Sequence, residues 1–440
     1  MAGEKRVVIG SGPDALRAAA TLAAGGCAVT LLQHSDTPSG LRHPELPNGN
    51  GWMRIPTEDR ATVEAVLGAT VDAPDPHRAV TRRGHRYSLP MQRWQVPRLL
   101  EPHARIPAAR AWMEARSRNT TADLTGAGQE ERSYDDWVVR RMGGPAYHHL
   151  YRDYAQRRWG WEPSDLSAAL ARLCHGTPDP GPFQVAGGGY GEVLRTAARL
   201  ITDRGGKIVT GARVEGLDFS EGRVSRVRTA DGGIDVDGQV WASVDGSTLC
   251  GWMGEAATTS MQVDASHLPM HAVAVVALRG EVDGLADELH VLDESVPFWR
   301  VVVPYGVEKT ALFHVVLPAG HQDDDPALIA EVQQAAAAIG LGTFRTEDAV
   351  VERLVSWQPA WRRNSHARLR RLLRSLEPLG VVWVGRCGAF GDIDPGTEIR
   401  LAAAYRGEQT PAQAEVHRTL LDPPVQQDDL AARITRMVER

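Results

Sequence analysis

A strand, a glycine turn, a helix and a second strand at residues 7–33 constrain the fold of this chain more than any other feature. The stretch reads VVIGSGPDALRAAATLAAGGCAVTLLQ. An apolar run, Val7–Ile9, meets a turn with two glycines, and an alanine-rich helical segment leads to a second apolar run, Val29–Leu32. The pattern is typical of a parallel α/β unit that binds a dinucleotide across the carboxyl ends of its strands.

Each residue of the turn has a physical role in such a site. Gly10 lets the chain leave the strand sharply, and Gly12 lets the backbone approach a pyrophosphate. Pro13 suits the first helical turn, where its missing N–H costs nothing. Ala15 is a small third position that permits close helix–strand packing, and the helix directs free N–H groups at negative charge. A glycine turn without a nucleotide is the alternative interpretation.

The end of the second strand departs from the usual pattern. This position commonly carries Asp or Glu, which binds ribose hydroxyls, but here it is Gln33, followed by His34, Ser35 and Asp36. The Gln33 amide hydrogen-bonds without charge assistance, which predicts a weaker contact. Asp36 is the alternative ribose ligand. No Arg directly follows the strand, so no reader of a 2′-phosphate is evident.

Composition excludes several classes of protein. The 440 residues suffice for two or more structural units, and 42% hydrophobic with 24% charged residues is ordinary for a globular protein. A net charge of −6 argues against nucleic-acid binding. No apolar run reaches the roughly 18 residues of a membrane span, and the chain starts without a secretory pattern. We therefore expect a cytoplasmic protein.

The spacing of the cysteines argues against a metal site, and the abundance of Arg lowers the functional weight of any single Arg. The four cysteines are far apart and have no metal-ligand spacing, which predicts reduced thiols and no metal site. Only three of the 49 basic residues are Lys, so a single Arg carries little functional weight.

Patterns further along the chain predict a second α/β stretch and a sheet. Residues 57–184 are mostly helical in pattern. The next elements are a helix (Glu192–Arg204), strands (Lys207–Thr210 and Val214–Phe219), a hairpin turn at Glu221-Gly222, and strands at Val224–Thr229 and 236–245. Sheet strands follow at Ala272–Leu278, Trp299–Pro304 and Ala311–Leu317. A helix from Pro326 to Ile339 has Asp325 as its N-cap and Gly340 as its stop. Residues 380–385 predict a strand, and a helix begins near Thr397.

Eight segments occur in an order that carries more information than any one of them. They are GSGPDA (10–15), a glycine-bearing segment (39–53), RYSLPM (86–91), SYDDWVVRRMGG (133–144), YRDYAQRRWGWEPSDLSA (151–168), GGGYGEVLRTAARLITDRGGKIVTGARVEGL (187–217), PFWRVVVP (297–304) and GVVWVGRCGAFGDIDPGTEI (380–399). In this order the chain resembles the FAD-dependent amine oxidase and protoporphyrinogen oxidase superfamily, to whose structural group UDP-galactopyranose mutase belongs.

The resemblance implies an α/β (α+β) fold with a discontinuous Rossmann-like FAD-binding domain and a substrate domain of antiparallel sheet plus helices. Residues 1–75, 185–265 and 350–425 would form the FAD-binding domain, and 76–184 and 266–349 the substrate domain. Residues 426–440 would add an amphipathic C-terminal helix. This helix would offer a partner surface, which favours a homodimer as an expectation.

The resemblance also implies a set of cofactor-binding positions along the chain. The pyrophosphate turn would use Gly10, Gly12, Pro13 and Ala15, and Gln33 and His34 would lie at the ribose. The remaining positions are Gly40, Arg42, Val214, Gly385, Arg386, Ile393 and Thr397. Val214 would meet the adenine through its backbone, and a plain strand valine is the equal alternative.

Two residues of the segment 297–304 are the implied catalytic or substrate-binding positions. Arg300 matches a segment near the active site of mutase-like members, with a surface or salt-bridged Arg as the alternative. Trp299 would pack over flavin or substrate, although an interior strand Trp is more often core. Arg386 could bind an anionic substrate or the flavin edge. Cys387 is expected to be an inert buried thiol.

The implied activity is oxidation of a small-molecule amine, alcohol or saturated C–C unit by hydride transfer to flavin N5, with reoxidation by O2. Two alternatives stay open. One is a non-redox flavoenzyme resembling the mutase, and the other is a non-catalytic partner subunit. Gln33, together with Arg54 and Pro56 where small or acidic residues are expected, motivates the last. Most aromatic residues of the insert 94–175 are expected to be core, and His148 and His149 lack the spacing of metal ligands.

Overall fold

The structure is a computed structural model that describes residues 5–36, 55–56, 64, 66, 70–72, 77–88, 96–125, 133–168, 170–171, 183–186, 189–237, 239–282, 285–304, 309–317, 324–390, 399 and 402. Its strands are β1 (Lys5–Ile9), β2 (Ala28–Leu32), β3 (Ile55–Pro56), β4 (Thr70–Asp72), β5 (Arg78–Arg82), β6 (His85–Ser88), β7 (Phe183–Ala186), β8 (Lys207–Val209), β9 (Val214–Ser220), β10 (Arg223–Thr229), β11 (Gly232–Asp235), β12 (Val240–Ala242), β13 (Met270–Gly280), β14 (Glu288–Val291), β15 (Phe298–Val302), β16 (Thr310–Leu317), β17 (Phe344–Pro359) and β18 (Val381–Trp383).

Helices alternate with these strands and also form an insert between β6 and β7. They are α1 (Pro13–Ala24), α2 (Pro102–Thr125), α3 (Tyr134–Met142), α4 (Arg152–Trp159), α5 (Gly189–Asp203), α6 (Gly246–Met253), α7 (Thr259–Ser266), α8 (Asp325–Ala338), α9 (Ser365–Leu376) and α10 (Gly385–Ala389). A π-helical turn, Tyr147–Tyr151, leads directly into α4. Within the described part of the chain, no helix is long and apolar enough to cross a membrane.

A parallel sheet forms the nucleotide-binding half of the predicted fold. Its strand order is β18-β12-β1-β2-β8, so strands from distant parts of the sequence lie side by side. Val8 of β1 pairs with Leu31 of β2 and with Trp241 of β12, and all three side chains are buried. Such continuous apolar strands are typical of a parallel sheet covered on both faces. The predicted α/β fold class and the strand–helix–strand unit at residues 7–33 are confirmed.

A seven-stranded sheet forms the other half, in the order β17-β13-β16-β15-β14-β5-β6. Successive side chains of a strand point to opposite faces, and here both faces are covered. Val276 and Phe313 pack on the face against α8, whereas Val275 and Leu312 belong to one buried cluster with α1. The second face of this sheet is therefore directed at α1 and the parallel sheet.

The expectation that residues 57–184 are mostly helical is wrong at its beginning. Strands β4, β5 and β6 lie there, and β5 and β6 complete the edge of the seven-stranded sheet. The β5–β6 hairpin turns through Arg83 (φ +52°) and Gly84 (φ +75°). Two consecutive positive φ angles match the right-handed twist of the flanking strands. The many Arg residues of this segment resemble a helix former in sequence, which obscures the hairpin.

Two smaller predictions also need correction. Among the described residues of the predicted strand 236–245, Val240–Ala242 form strand β12, and Gly232–Asp235 pairs with β10 as a separate strand. Asp325 is the first residue of α8 and not its N-cap, which is Asp324. The Asp325 carboxylate instead forms an ion pair with Arg353 of β17, at 2.7 Å.

The helical insert carries a core of aromatic side chains, as the sequence predicts. Tyr134, Trp137, Tyr147 and Trp159 are all buried.

Among the described residues, no group of three His, Cys, Asp or Glu side chains could hold a metal ion.

Candidate cofactor and substrate site

The glycine turn after β1 leaves open space in front of the N-terminus of α1. A Cβ atom on Gly10 would lie 2.8 Å from Ala15 Cβ, so this glycine and Ala15 permit the close packing of turn and helix. A Cβ on Gly12 would meet nothing nearer than the Asp14 nitrogen at 4.0 Å. Gly12 is the N-cap and supplies no side-chain hydrogen bond, and Pro13 begins the helix. The first N–H groups of α1 therefore face an open cradle that suits an anion.

Ser11 fastens this turn to the end of β2. Its hydroxyl oxygen accepts hydrogen bonds from the main-chain N–H groups of His34, at 2.8 Å, and Ser35, at 3.3 Å. His34 thus contributes its backbone to the turn, while its side chain is exposed. The turn and the strand end lie together, as the dinucleotide pattern predicts.

Gln33 has a fully buried side chain whose amide lacks a partner. Its exposure is 0%, and neither its oxygen nor its nitrogen has a hydrogen bond in the described part of the chain. Its main chain is satisfied, because its N–H donates to Val209 and its carbonyl accepts from Ala212 at 2.7 Å. An unsatisfied buried polar group costs about 1–3 kcal/mol and requires an explanation. A ligand with adjacent hydroxyls, such as a ribose, both donates and accepts and would satisfy this amide.

Val214 begins β9, two residues after the Ala212 N–H that bonds to Gln33. It is partly buried against an apolar cluster. The chain thus carries Val214 past the end of β2, and its implied backbone contact with an adenine stays a prediction.

The segment after β18 meets the N-terminus of α1. Gly385 has φ +71°, and a Cβ there would lie 2.8 Å from Asp14 Cβ and 2.6 Å from Ser243 Oγ. The Arg386 N–H donates to Asp14 Oδ2 at 2.9 Å, and Asp14 also pairs with the buried Arg17 at 2.9 Å. The predicted positions Gly385 and Arg386 therefore lie beside the glycine turn, although 372 residues separate Arg386 from Asp14.

Cys387 lies in α10, directly behind this contact. Burial raises the pKa of its thiol, and the nearby Asp14 carboxylate raises the pKa further. A protonated, buried thiol is a poor nucleophile, which agrees with the expectation of an inert cysteine.

Several predicted positions lie outside the described residues: Gly40, Arg42, Arg54, Ile393, Thr397 and the C-terminal segment 426–440. Pro56 is described, and its main chain pairs with Phe183 in a short sheet of β3, β7 and β4.

A row of ionisable side chains crosses the sheet face that is directed at α1 and the parallel sheet. In register, His290 pairs with Arg300, Arg300 with His314, His314 with Val275, and Val275 with Glu352. Cross-strand partners share a face, and Val275 belongs to the buried cluster that contains α1 residues. His314 and Glu352 are buried, and His290 and Arg300 are partly buried. Since ionisable groups are costly to bury, this row marks a candidate site.

Helix α4 covers part of this row and adds two polar groups to it. Tyr154 Oη lies 2.7 Å from His290 Nδ1, and Arg158 donates to the same hydroxyl at 3.5 Å. On the other side of the imidazole, His290 Nε2 lies 3.4 Å from Glu288 Oε1, which also pairs with Arg300 at 2.9 Å. These five side chains form one connected network, defined here as the Tyr154–His290 network, with two cations and one carboxylate.

Trp299 lies at the centre of the Tyr154–His290 network. Its ring is 4.9 Å from the Arg158 guanidinium carbon and 5.8 Å from that of Arg300. A bulge between Phe298 and Arg300 interrupts the pairing of β15 with β16, and bulges re-aim side chains next to functional sites. With 3% exposure, Trp299 is a buried platform for the two guanidinium groups.

The imidazole of His290 is neutral at ordinary pH. Burial lowers its pKa to about 4, the Glu288 carboxylate opposes this shift, and Arg158 and Arg300 add to it.

A second partly buried histidine, His271, lies on the same sheet. Burial lowers the pKa of His271 to about 4, and its ring packs 6.3 Å from that of Trp161. Arg362 lies over the Trp161 ring at 4.4 Å. His271 Nε2 and Trp161 Nε1 have no hydrogen-bond partner in the described part of the chain. These two nitrogen atoms could therefore form hydrogen bonds with a polar group of a ligand.

The sequence prediction named Arg300 and Trp299 but missed Tyr154, His290 and Glu288. The segment ELHV at 288–291 alternates polar and apolar residues, a period that places Glu288 and His290 on one strand face. That signal was available in the sequence. The contact with Tyr154 was not, since 136 residues separate it from His290.

Solved structures with this architecture cover nearly the whole chain. A reduced UDP-galactopyranose mutase has a TM-score of 0.73 and 16% identity, covering 96% of this chain and 98% of its own. Cyclohexylamine oxidase from Brevibacterium oxydans IH-35A has a TM-score of 0.63 and 16% identity, covering 94% and 99%. A CLA-producing fatty acid isomerase from P. acnes has a TM-score of 0.60 and 13% identity, covering 95% and 99%.

The chain has the fold of these proteins. The resemblance drawn from the sequence motifs is thereby confirmed at the level of the fold. No protein-family model matches the chain, and no curated protein matches it in sequence. A mutase, an oxidase and an isomerase share this architecture, so the fold alone does not select a reaction.

Proposed function

We propose that the protein is an FAD-dependent oxidoreductase that acts on a small molecule carrying an anionic group. The observation that carries the cofactor assignment is the orphaned, fully buried amide of Gln33 beside the open cradle of Gly12. The fold supports the same cofactor, and the Tyr154–His290 network supports the kind of substrate.

FAD fits the residues that are present. The N–H groups at the start of α1 and the space at Gly12 would hold the pyrophosphate, and Gln33 would hold a ribose. Gly385 and Arg386, beside Asp14, would border the same site. Bound FAD supplies the hydride acceptor for a carbon that bears an amine or a hydroxyl, or for a saturated C–C unit, with O2 as the reoxidant.

The charge of the Tyr154–His290 network favours an anionic substrate. Arg158 and Arg300 carry two positive charges against the single carboxylate of Glu288, and His290 is neutral. The network lies on a largely buried sheet face, where a carboxylate or phosphate gains more from a guanidinium than it does in water. Trp299 holds both guanidinium groups against its ring and so limits their motion.

The test of the cofactor is the colour of the purified protein. We expect a flavin absorbance spectrum and release of FAD on denaturation. A colourless protein that ignores added FAD would contradict the assignment.

The substrate class is tested by bleaching the flavin under anaerobic conditions. The panel contains 2-amino acids and 2-hydroxy acids, each matched to an amine or alcohol that lacks the acid group. We expect the acids to bleach the flavin faster, and Arg300→Gln to raise their KM by tenfold or more, because a charge-assisted hydrogen bond is worth about 1.5–3 kcal/mol. The exposed Arg363, which donates to the Ser164 carbonyl, gives the matched control Arg363→Gln. Equal bleaching by the neutral compounds would contradict the anionic substrate.

A non-redox flavoenzyme resembling the mutase is the second candidate. The similarity to UDP-galactopyranose mutase, with a TM-score of 0.73, and two arginines that suit a diphosphate favour it. Interconversion of a UDP-sugar only after dithionite reduction, with no net oxidation, would support this candidate over the oxidoreductase.

A further inference from the structure

Three side chains that carry nitrogen atoms meet where α4 ends against β13, and the proposed function leaves them without a role. They are Trp161, His271 and Arg362, defined here as the Trp161 corner. The Trp161 ring lies 6.3 Å from the His271 ring and 4.4 Å from the Arg362 guanidinium carbon. Trp161 Nε1 and His271 Nε2 are buried and have no hydrogen-bond partner in the described part of the chain. Two unsatisfied buried nitrogen atoms beside one guanidinium require a common explanation.

The positive charge of the Trp161 corner has no counter-charge among the described residues. Arg362 is partly buried, and no carboxylate in the described part of the chain forms an ion pair with it. Its neighbour Arg363 is exposed and donates to the Ser164 carbonyl at 2.7 Å. His271 adds no charge, because burial lowers the pKa of its imidazole to about 4. The corner therefore holds one cation and an indole N–H that can only donate, and the described residues supply an anion to neither.

Main-chain pairing holds the parts of the Trp161 corner together. Gly160 follows α4 with φ +65°, and a Cβ there would lie 3.1 Å from His271 Cε1, so the lack of a side chain lets the chain pass close to the imidazole. His271 pairs in register with Gln358 of β17, and Arg362 forms a β-bridge with Leu166. A ligand would therefore meet donors that are already in place, which lowers the entropic cost of binding.

We propose that the Trp161 corner is an oxyanion-binding subsite that takes a carboxylate or a phosphate group. Both groups accept several hydrogen bonds, so either one satisfies the Trp161 indole N–H and the Arg362 guanidinium together. A guanidinium that stacks on a ring keeps its N–H groups at its edge, where an oxyanion binds in a bidentate manner. The neutral imidazole of His271 has one N–H, and an acceptor beside Nε2 favours the tautomer with the proton on that atom.

The Trp161 corner is separate from the Tyr154–His290 network. His271 lies four residues before Val275 on β13, and Val275 is where the row of ionisable side chains crosses that strand. Side chains four residues apart share a strand face at a distance of about 13 Å. One small acid group cannot reach both places, so the oxyanion is either a second acid group on an extended substrate or a free anion. The chemistry of binding is the same for both.

The first experiment measures anion binding by the purified full-length protein and needs no substrate. Tryptophan is labelled with 15N, and the indole signal of Trp161 is assigned with Trp161→Phe. Sodium phosphate and sodium acetate are the probes, and sodium chloride at equal ionic strength is the reference. We expect phosphate or acetate to shift the Trp161 signal with saturation, whereas chloride should not. The absence of a saturable shift with both probes would overturn the proposal.

Two variants then test which groups hold the anion. Arg362→Gln should weaken binding of the probe by roughly tenfold or more, because charge-assisted hydrogen bonds are lost. His271→Phe keeps the ring but lacks Nε2, and it should weaken binding by a smaller factor. Arg363→Gln, the same change at the next residue, is the matched control and should bind the probe as the wild type does. An Arg362→Gln protein with the Tm of this control and wild-type affinity would overturn the proposal.

The source of the oxyanion is tested by flavin bleaching, an arm that rests on the proposed function. The compounds are straight-chain 2-amino acids of matched length with and without a terminal carboxylate. A KM that rises in Arg362→Gln by roughly tenfold for the diacids alone assigns the subsite to an extended substrate. An unchanged KM for both sets assigns it to a free anion. A protein without flavin rejects the proposed function, and the anion titration then still supports or overturns the Trp161 corner.

Discussion

Arg157 and Arg158 are adjacent residues of α4, but their side chains point in different directions and make different contacts. Arg157 donates to the carbonyls of Val291, Val296 and Phe298 at 3.2–3.3 Å and so ties the connection between β14 and β15 to the helix. Arg158, the next residue, lies over Trp299 and reaches the Tyr154 hydroxyl. Arg157 therefore stabilises the fold, whereas Arg158 is a candidate binding group. The two residues are of the same type and differ only in the direction that their positions on the helix give to their side chains.

The glycine at the cradle gives the sharpest test at the residue scale. Gly12→Val should abolish flavin binding, because the added side chain enters the open space in front of α1. Folding should be unaffected, since no described atom lies within 3.9 Å of the new Cβ, the nearest being Asp14 N at 4.0 Å. Flavin content and Tm are the measurements. Gly251→Val is the matched control, because a Cβ at this helical glycine would have nothing within 4 Å. Unchanged flavin content in Gly12→Val would refute the placement of the pyrophosphate.

The unsatisfied amide of Gln33 predicts that replacing it will stabilise the flavin-free protein and weaken FAD binding. Gln33→Leu should raise the Tm of the flavin-free protein, because it removes an unsatisfied buried polar group worth about 1–3 kcal/mol. The same change should weaken FAD binding by roughly tenfold, since a ribose hydrogen bond is lost.

Thermal denaturation and flavin titration measure the two effects. Gln333→Leu is the control, because its amide already donates to the Phe344 carbonyl at 2.6 Å and its loss should lower Tm. A Gln33→Leu protein that binds FAD as tightly as the wild type would remove Gln33 from the cofactor site.

At the scale of elements, one buried carboxylate joins two helices far from the candidate site. Asp264 of α7 accepts from Arg371 at 2.6 and 2.9 Å and from Arg368 at 3.2 Å, both on α9. Asp264→Ala should lower the free energy of unfolding by about 2–4 kcal/mol, as expected when one partner of a buried pair is removed.

Urea unfolding gives this value, and the flavin content should stay the same. Asp235→Ala is the control, because Asp235 is 87% exposed and lies 3.5 Å from Arg226, so its ion pair is worth little. Equal losses in the two variants would show that the α7–α9 contact is not a buried ion pair in solution.

The elements themselves were largely predictable from the sequence, for physical reasons. The apolar runs of β1 and β2 and the hairpin at Glu221-Gly222 are local signals, because periodicity and glycine chemistry act within a few residues. The β5–β6 hairpin was missed because Arg78, Arg82 and Arg86 are good helix formers, which obscures the strand pattern. Gln33 and Gly12 could be placed from sequence, whereas the Tyr154–His290 network depends on register between β14, β15 and α4.

At the scale of the whole molecule, two partly buried histidines predict a loss of stability on mild acidification. Burial lowers the pKa of His271 and of His290 to about 4, below the value of about 6.5 in the unfolded chain. The unfolded state therefore binds more protons between these values. Their stabilising effect is complete above pH ~6.5 and is lost as the pH falls toward 4, by about 3 kcal/mol for each histidine.

Tm measured from pH 7 to pH 4.5 tests this prediction. The variants His271→Asn and His290→Asn should each flatten the decline, and His267→Asn, at an exposed position, should leave it unchanged. A decline of the same slope in all three variants would assign the acid sensitivity to other groups.

The contact between Asp14 and the Arg386 N–H has a consequence for how the protein is made. The glycine turn leaves the ribosome early, but its partner follows 372 residues later. At 5–20 residues per second, roughly 20–70 s pass between the synthesis of the two. During this interval Asp14 lacks its main-chain partner Arg386, and strand β12 lacks its neighbour β18. The parallel sheet, and with it the contact behind the glycine turn, is therefore complete only after residues 381–386 have been synthesised.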